Sequence, residues 1–178
     1  FGKMVENGHI YRGLRSVHWS PSSQTALAEA ELESPEDHVS PSIYIAFPVV
    51  GASDSAKEVL SPYINSLGVA IWTTTPWTIP ANVAVSVNAE LTYAVVESKS
   101  GEPFKYLIVA KELAEKLSET FGDGLSVVAE LSGEALAGST YRHPLAEKDS
   151  AFDRVSPIVV GGDYVTTESG TGLVHTAP

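Results

Sequence analysis

The stretch from Ile71 to Asn82, which reads IWTTTPWTIPAN, concentrates side chains that can bind a polar ligand. Its three consecutive threonines, Thr73 to Thr75, lie between two of the three tryptophans of the chain. Residues 69–72 are typical of a buried strand end, and the Thr-Pro pair that follows is typical of a helix start. Because Pro80 soon removes another backbone donor, we predict a helix of about one turn. The sequence therefore places three hydroxyls and several free backbone N–H groups at one spot between indole rings.

Such a site suits a small apolar group that is attached to a polar, ester-like centre. An alternative explains the same residues without a ligand, as a strand-to-turn junction with threonine chosen for strand propensity and capping and tryptophan for the core. A threonine hydroxyl attacks an ester only when a base lies beside it. Since no ionisable residue lies close in sequence to Thr73–Thr75, binding is favoured over a covalent role for these threonines.

A second candidate is His175, which follows Gly170-Thr171-Gly172 at the end of a predicted strand. Glycines at such a place let the backbone approach a ligand closely. The alternative for a lone histidine is a structural hydrogen bond. The Gly-Thr-Gly triplet does not indicate a phosphate loop, because neither a Gly-Lys-Thr/Ser nor a GxGxxG pattern continues it.

Several other kinds of site are not indicated. None of the five histidines pairs with another at spacing i+2 or i+4, and the chain has no cysteine, so we predict no metal motif and no disulfide. A metal site assembled from distant residues stays open at this point. No GxSxG pattern indicates a serine nucleophile.

Composition sets wider limits. The 178 residues, 43% of them hydrophobic and 19% charged, suffice for one globular domain with a substantial core. A formal net charge of −11 argues against a surface that binds long nucleic acid, but it leaves contact with a single nucleotide end open. No apolar run approaches the roughly 20 residues that a membrane span requires. The absence of an initiator methionine and of a signal peptide predicts a fragment of a longer polypeptide.

The predicted elements are many short strands and one clear helix, Lys111–Phe121, which has one apolar face. This pattern predicts a β-rich α+β domain, in the form of a closed or partly closed barrel. The region from Gly133 to Ser150 is predicted to be rich in loops, and Lys99–Pro103 to be a turn. The predicted strands are His9–Trp19 (with Ile10, Leu14 and Val17 as candidate core), Ser42–Val50, Gly68–Trp72, Val83–Val87, Leu91–Glu97, Phe104–Ala110, Leu125–Leu131 and Pro157–Val160.

IWTTTPWTIPAN and the terminal GTGLVHTAP, together with YRGLRSVHWSPSSQTALAEAELE near the start, resemble the inserted editing domain (connective-peptide insertion) of isoleucyl-tRNA synthetase. The resemblance spans essentially the whole chain, so that residues 1–178 are expected to form one editing domain of a longer synthetase. Related valyl and leucyl enzymes carry TTxP[ED]T, whereas Trp77 favours the isoleucyl branch. The LVHTAP motif resembles that of bacterial or organellar members more closely. This implies a cytoplasmic protein, or an organellar one if the source is eukaryotic.

The resemblance implies a barrel-like editing fold that hydrolyses mischarged Val-tRNA(Ile). The implied partners are the 3′ end of tRNA(Ile) carrying valine and the rest of the synthetase, without a cofactor, a metal or a membrane. Thr74, Thr75 and His175 are implied as catalytic, with His175 orienting the substrate and limiting its side chain. The implied substrate-binding residues are Trp72, Thr73, Trp77, Thr78, Asn82, Gly170, Thr171 and Gly172.

Some alternatives stay open beside the resemblance. One is a non-catalytic binding module that kept the fold, and another is an unrelated β-barrel hydrolase acting on a free ester. The general base is either a side chain or a ribose hydroxyl. Family members continue as HxAPxxGxxD past His175, so the aspartate for the substrate's ammonium group would follow Pro178 and this chain is expected to edit weakly alone. Glu168 is the nearest acidic residue that could take the place of this aspartate.

A separate departure from the family is Ser20, which stands where many members have cysteine.

Overall fold

The computed structural model describes residues 1–99, 103–122 and 124–178, and the chain divides into two compact units, residues 1–39 and 40–178. The first unit contains helix α1 (Gly2–Glu6) and a two-stranded antiparallel ribbon of β1 (Trp19–Ser20) and β2 (Thr25–Ala26). A 3-10 turn follows at Glu29–Glu31.

The predicted strand His9–Trp19 is wrong, since only its last residue lies in a strand. Leu14 and Val17 are exposed, and Ile10 is not buried, so none of the three belongs to a core. The physical reason is the lack of a partner: within residues 1–39 the only strand available is the two-residue β2, which pairs with Trp19 and Ser20 alone. An alternating pattern without a neighbouring ladder does not hold extended backbone.

The second unit is built on a nine-stranded mixed sheet, which confirms the predicted β-rich α+β class. Its strands are β3 (Ile43–Gly51), β4 (Leu67–Thr73), β5 (Ala84–Val87), β6 (Thr92–Glu97), β7 (Tyr106–Ala110), β8 (Ser126–Ser132), β9 (Thr140–Arg142), β10 (Val155–Val160) and β11 (Val174–Thr176). They run in the order β11-β5-β10-β9-β3-β4-β7-β6-β8. Closure of the barrel is not seen, because the end strands β11 and β8 do not pair with each other in the described part of the chain.

Short helices connect these strands. They are α2 (Lys57–Leu60), α3 (Ala114–Phe121), α4 (Gly133–Leu136) and the 3-10 segments Ile64–Ser66, Pro76–Ala81, Lys111–Leu113 and Ser150–Phe152. The predicted helix Lys111–Phe121 is confirmed, with a 3-10 first turn and its end at Gly122, whose φ is 63°. Among the described residues, no helix has the length and apolar character that crossing a membrane requires.

The loop-rich prediction for Gly133–Ser150 is wrong in part, because α4 and β9 lie there. Ser132 caps α4 by accepting a hydrogen bond from the backbone N–H of Ala135. Tyr141 of β9 pairs with Val49 of β3 on one side and with β10 on the other. The predicted turn Lys99–Pro103 lies largely outside the described residues.

The core forms around β4, whose sequence LGVAIWT is buried along almost its full length. Such a continuous apolar run is typical of a central strand covered on both faces. β4 pairs with β3 antiparallel and with β7 parallel. Ile71 of β4, Phe47 of β3 and Ile108 of β7 are fully buried. Because the strand is held on both sides, its end at Thr73 has a fixed position in the molecule.

Replacement of Phe47 by alanine should lower the free energy of unfolding by about 3–5 kcal/mol, because it removes a fully buried ring and leaves a cavity. That ring stacks on Tyr141 with centroids 5.1 Å apart. Chemical denaturation measures the change, and the exposed Val127→Ala serves as the control, with a change of about 0.5 kcal/mol or less. A loss for Phe47→Ala as small as that of the control would contradict the assigned core.

Candidate functional site

The threonine stretch begins where β4 ends and continues into the 3-10 helix Pro76–Ala81. Thr75 occupies the N-cap position as predicted, but its side chain makes no capping bond to the helix. Its hydroxyl instead lies 3.1 Å from that of Thr73, and its backbone N–H donates to the same Thr73 oxygen at 3.1 Å. The local pattern therefore ties two of the three threonines to each other.

The helix is longer than the single turn predicted from Pro80. Its six residues include that proline, and buried Ile79 anchors it to the core. The Arg154 guanidinium donates to the carbonyl oxygens of Pro80 and Asn82, both at 2.7 Å. An arginine distant in sequence thus satisfies the carbonyl groups at the end of the helix and holds this end in place.

The Gly-Thr-Gly triplet packs against the end of β7 and against Trp72. Gly170 and Gly172 have φ values of 74° and 78°, a region that favours glycine. A Cβ on Gly170 would lie 3.2 Å from the Trp72 ring, and one on Gly172 would clash with the Ala110 side chain. The carbonyl oxygen of Thr171 accepts a hydrogen bond from the Ala110 N–H at 2.8 Å. The triplet therefore needs glycine at both positions to come this close.

These two segments enclose a cavity of about 260 Å³, which we name the Thr–Gly cavity. Six of the predicted site residues line it: Trp72, Thr73, Thr74, Gly170, Thr171 and Gly172. Sequence reasoning missed its other lining residues, Tyr164, Thr166, Ser169, Leu173 and Val174. Two of these, Thr166 and Ser169, could have been found from their position shortly before the Gly-Thr-Gly triplet in the sequence.

The remaining predicted residues, apart from Trp77, form a hydrogen-bonded cluster next to this cavity. The Nε2 atom of His175 lies 2.8 Å from the hydroxyl of Thr78, and that hydroxyl donates to the carbonyl oxygen of Thr75 at 2.7 Å. A hydroxyl has one proton, so Thr78 can only accept from the histidine. His175 therefore carries its proton on Nε2 and donates it to Thr78.

The other ring nitrogen of His175 is held by Asn82, whose amide nitrogen lies 2.9 Å from Nδ1. The same amide nitrogen donates to the carbonyl oxygen of Ala84 at 3.0 Å, while the amide oxygen accepts from the Tyr141 hydroxyl at 2.6 Å. These two partners fix the orientation of the amide. Nδ1 of His175 faces an N–H donor and is therefore the unprotonated nitrogen.

We name this series, from Tyr141 through Asn82, His175 and Thr78 to the Thr75 carbonyl, the Asn82–His175 relay. Burial raises the pKa of Tyr141 to about 12, so its hydroxyl keeps the proton that it donates. Asn82 is fully buried. Tyr141 was not predicted as part of the site, since it lies in the stretch that the sequence indicated to be loop.

The cavity and the relay lie on opposite sides of β11. Val174 lines the cavity, and successive strand residues point to opposite faces, so His175 points away from the cavity toward Asn82. The two parts are joined through Thr73, which lines the cavity and bonds to Thr75. Trp77 lies apart from both; its side chain is 69% exposed and does not line the cavity.

The neutral form of His175 is favoured for electrostatic reasons as well. Burial lowers the pKa of His175 below its ordinary value of 6.5, and nearby His143 lowers it further. His143 is itself buried, which lowers its pKa too, and it is 2.9 Å from the carbonyl oxygen of Ile79. Within the described residues, no group of three or more His, Asp or Glu side chains could hold a metal ion, and no carboxylate lines the cavity.

Two solved structures share this fold. The crystal structure of GlLeuRS-CP1 gives a TM-score of 0.61 at 17% identity, covering 78% of this chain and 55% of that one. The P. knowlesi cytosolic leucyl-tRNA synthetase editing domain gives a TM-score of 0.53 at 12% identity, covering 78% and 60%. Over 78% of its length, the chain therefore has the fold of the CP1 editing domain of leucyl-tRNA synthetase.

Residues 1–160 match the tRNA synthetases of class I (I, L, M and V), and the chain belongs to this family. It is 65% identical to the isoleucine–tRNA ligase of Synechocystis sp., 64% to that of Nostoc punctiforme and 61% to that of Thermosynechococcus vestitus. Each comparison covers 100% of this chain and 18% of the relative. The resemblance to isoleucyl-tRNA synthetase is confirmed, and the chain spans less than one fifth of the length of these relatives.

The lowered pKa values of His143 and His175 predict that stability falls as the pH falls below about 6.5. The unfolded chain takes up protons near that pH, whereas the folded chain resists protonation until a lower pH, so protons favour the unfolded state. Urea unfolding at pH 7.5, 6.5 and 5.5 measures the trend. His175→Gln should flatten it, and wild-type stability that does not change over this range would contradict the account.

Proposed function

We propose that this chain hydrolyses the ester of valine mischarged onto tRNA(Ile), as the editing domain of an isoleucyl-tRNA synthetase. The observation that carries the proposal is the Thr–Gly cavity, in which the threonine stretch and the Gly-Thr-Gly triplet face one another. The identity of 61–65% to isoleucine–tRNA ligases supports the same assignment. The neighbours with the CP1 editing fold support it through the fold alone.

The need for such a site follows from the limits of binding. A pocket for isoleucine rejects valine poorly, because one methylene is worth only ~1–3 kcal/mol, and this amino-acid pair is the established example of that limit. A second site that admits valine and excludes isoleucine removes the error by hydrolysis. The cavity of about 260 Å³ is smaller than a typical site for a drug-sized ligand, and its walls are proposed to admit the side chain of valine and to exclude that of isoleucine.

In the proposed reaction, water attacks the carbonyl carbon of the ester, and the bond from that carbon to the ribose oxygen then breaks. The ribose oxygen takes up a proton, and valine leaves as the free acid. Thr74 is proposed to bind the developing oxyanion: it is exposed, it lines the cavity, and its hydroxyl has no hydrogen-bond partner among the described residues. Thr73 and Thr75 are bonded to each other and are proposed to hold Thr74 in position.

His175 is proposed to position the site rather than to act as its base. Both of its ring nitrogens are already engaged, one by Thr78 and the other by Asn82. A base needs a free lone pair within reach of the proton that it abstracts. The proton of the attacking water is therefore proposed to pass to a ribose hydroxyl or to a second water, while the relay fixes the backbone of Thr75.

The ammonium group of the substrate requires a partner that the described cavity does not offer. An unpaired buried cation is costly, and no carboxylate lines the cavity. Glu168 is exposed and lies outside the lining. We therefore propose that the partner comes from another part of the synthetase and that this chain is a weak editor by itself.

Residues 1–178 are proposed to act as one piece of the parent synthetase in a bacterial cytoplasm. With a net charge of −11, the chain is suited to receive only the 3′ end of tRNA, while the rest of the synthetase holds the body of the nucleic acid.

The deciding experiment is deacylation of Val-tRNA(Ile) and Ile-tRNA(Ile), by the chain alone and within a full-length isoleucyl-tRNA synthetase. We expect release of valine but not of isoleucine. Thr74→Ala should slow valine release by about 100-fold, because an oxyanion donor is lost, and Thr74→Ser should restore most of the rate. His175→Ala should slow release of valine as well, because it removes the hydrogen bonds to Thr78 and Asn82 that fix the backbone of Thr75, and isoleucine should still be spared because His175 does not line the cavity.

Aminoacylation by the same variants serves as the control, since the synthetic site is separate. A full-length enzyme that releases neither amino acid would favour the non-catalytic binding module. A chain that cleaves simple esters but spares Val-tRNA(Ile) would favour the unrelated hydrolase.

A further inference from the structure

Tyr164 lines the Thr–Gly cavity, and the proposed reaction gives it no task. Its side chain is 61% exposed, so the ring lies at the outer boundary of the cavity rather than in its interior. An exposed phenol is ordinarily free to rotate. Here the hydroxyl donates to the Ser86 hydroxyl oxygen at 3.0 Å, and Ser86 is buried.

The surroundings of the ring hold it in the same place. A Cβ on Gly161 would lie 2.9 Å from the Tyr164 hydroxyl, so only glycine at position 161 leaves room for this hydroxyl. A Cβ on Gly162 would lie 3.4 Å from the Tyr164 ring, which is ordinary contact. The Ser86 hydroxyl also lies 3.2 Å from that of Thr176. Ser86 and Thr176 belong to β5 and β11, the strand pair that carries His175, so the ring is tied to the same frame as the relay.

The volume of the cavity indicates which part of a substrate contacts the Tyr164 ring. Sites that bury a drug-sized ligand measure roughly 300–1,000 Å³, and an aminoacyl-adenosine is a ligand of that size. A cavity of about 260 Å³ can enclose only a part of it. The proposed reaction places the small valyl ester beside Thr74, so the planar base must meet another part of the cavity wall, and the exposed ring of Tyr164 belongs to that wall.

We infer that the exposed face of Tyr164 stacks on the adenine of the terminal nucleotide and thereby positions the ester beside Thr74. The inference rests on the proposed function and names the residue that receives the base. Aromatic side chains bind bases through their π faces. The hydrogen bond to Ser86 holds the ring ready, so that little side-chain freedom is lost on binding.

The test uses two non-hydrolysable ligands: 3′-valylamido-3′-deoxyadenosine, and the same amino sugar with a methoxy group in place of adenine. Tyr164→Ala should lower the affinity of the chain for the adenosine ligand by roughly 10- to 100-fold, which is the range for loss of one stacked base. The affinity for the base-free ligand should not change. Tyr164→Phe keeps the ring and should retain most of the affinity for adenosine.

Nuclear magnetic resonance gives a second readout that does not depend on the strength of base-free binding. In the wild-type complex, the adenine H2 and H8 resonances should shift upfield because of the ring current, with cross-relaxation to the Tyr164 ring protons. The upfield shift and the cross-relaxation should both be absent in the complex of Tyr164→Ala. Thermal unfolding confirms that each variant is folded before its affinity is measured.

The possible failures are distinct. Equal losses of affinity for both ligands, or the absence of cross-relaxation between ring and base, would overturn the inference while leaving the proposed function standing. A gain in affinity for the isoleucyl counterpart in Tyr164→Ala would make the ring a boundary of the amino-acid subsite and would also overturn it. A wild-type chain that binds neither ligand, alone or within the full-length synthetase, would overturn the proposed function and this inference together.

Discussion

The buried carboxamide of Asn82 determines the arrangement of the site. Its oxygen is occupied by the Tyr141 hydroxyl and its nitrogen by the Ala84 carbonyl, so it has one N–H left for Nδ1 of His175. The imidazole is thereby left neutral, with its proton directed at Thr78. Protonation of Nδ1 would set two donors against each other inside a buried cluster, which is costly. The hydrogen bonds that hold the threonine stretch in position therefore require the imidazole of His175 to be neutral.

The site must meet two opposite requirements, and the cavity meets one while the relay meets the other. In the proposed reaction the cavity wall must leave a hydroxyl open to the substrate, and Thr74, which lines the cavity, is the proposed donor. The relay must leave no polar group unpaired, and in the described residues no buried side-chain nitrogen or oxygen lacks a partner. Gly172 permits both, because only a residue without a side chain brings the triplet so close to Ala110.

What the sequence predicted correctly is local. The end of β4 and the cap position of Thr75 follow from patterns within a few residues. What it missed depends on contacts across long separations, such as the Tyr141–Asn82 bond between residues 59 apart and the role of Arg154 at the end of the 3-10 helix. The predicted strand His9–Trp19 failed for the related reason that an alternating pattern does not reveal whether a partner strand exists.

The state of His175 is the central claim, and nitrogen-15 NMR of the imidazole tests it most directly. Long-range coupling between the ring protons and the ring nitrogens distinguishes the two neutral tautomers and the charged form. At pH 7, Nε2 of His175 is expected to carry the proton and Nδ1 is not, and Asn82→Ala should remove this preference. A proton on Nδ1, or an imidazolium at that pH, would contradict the relay and the positioning role that rests on it.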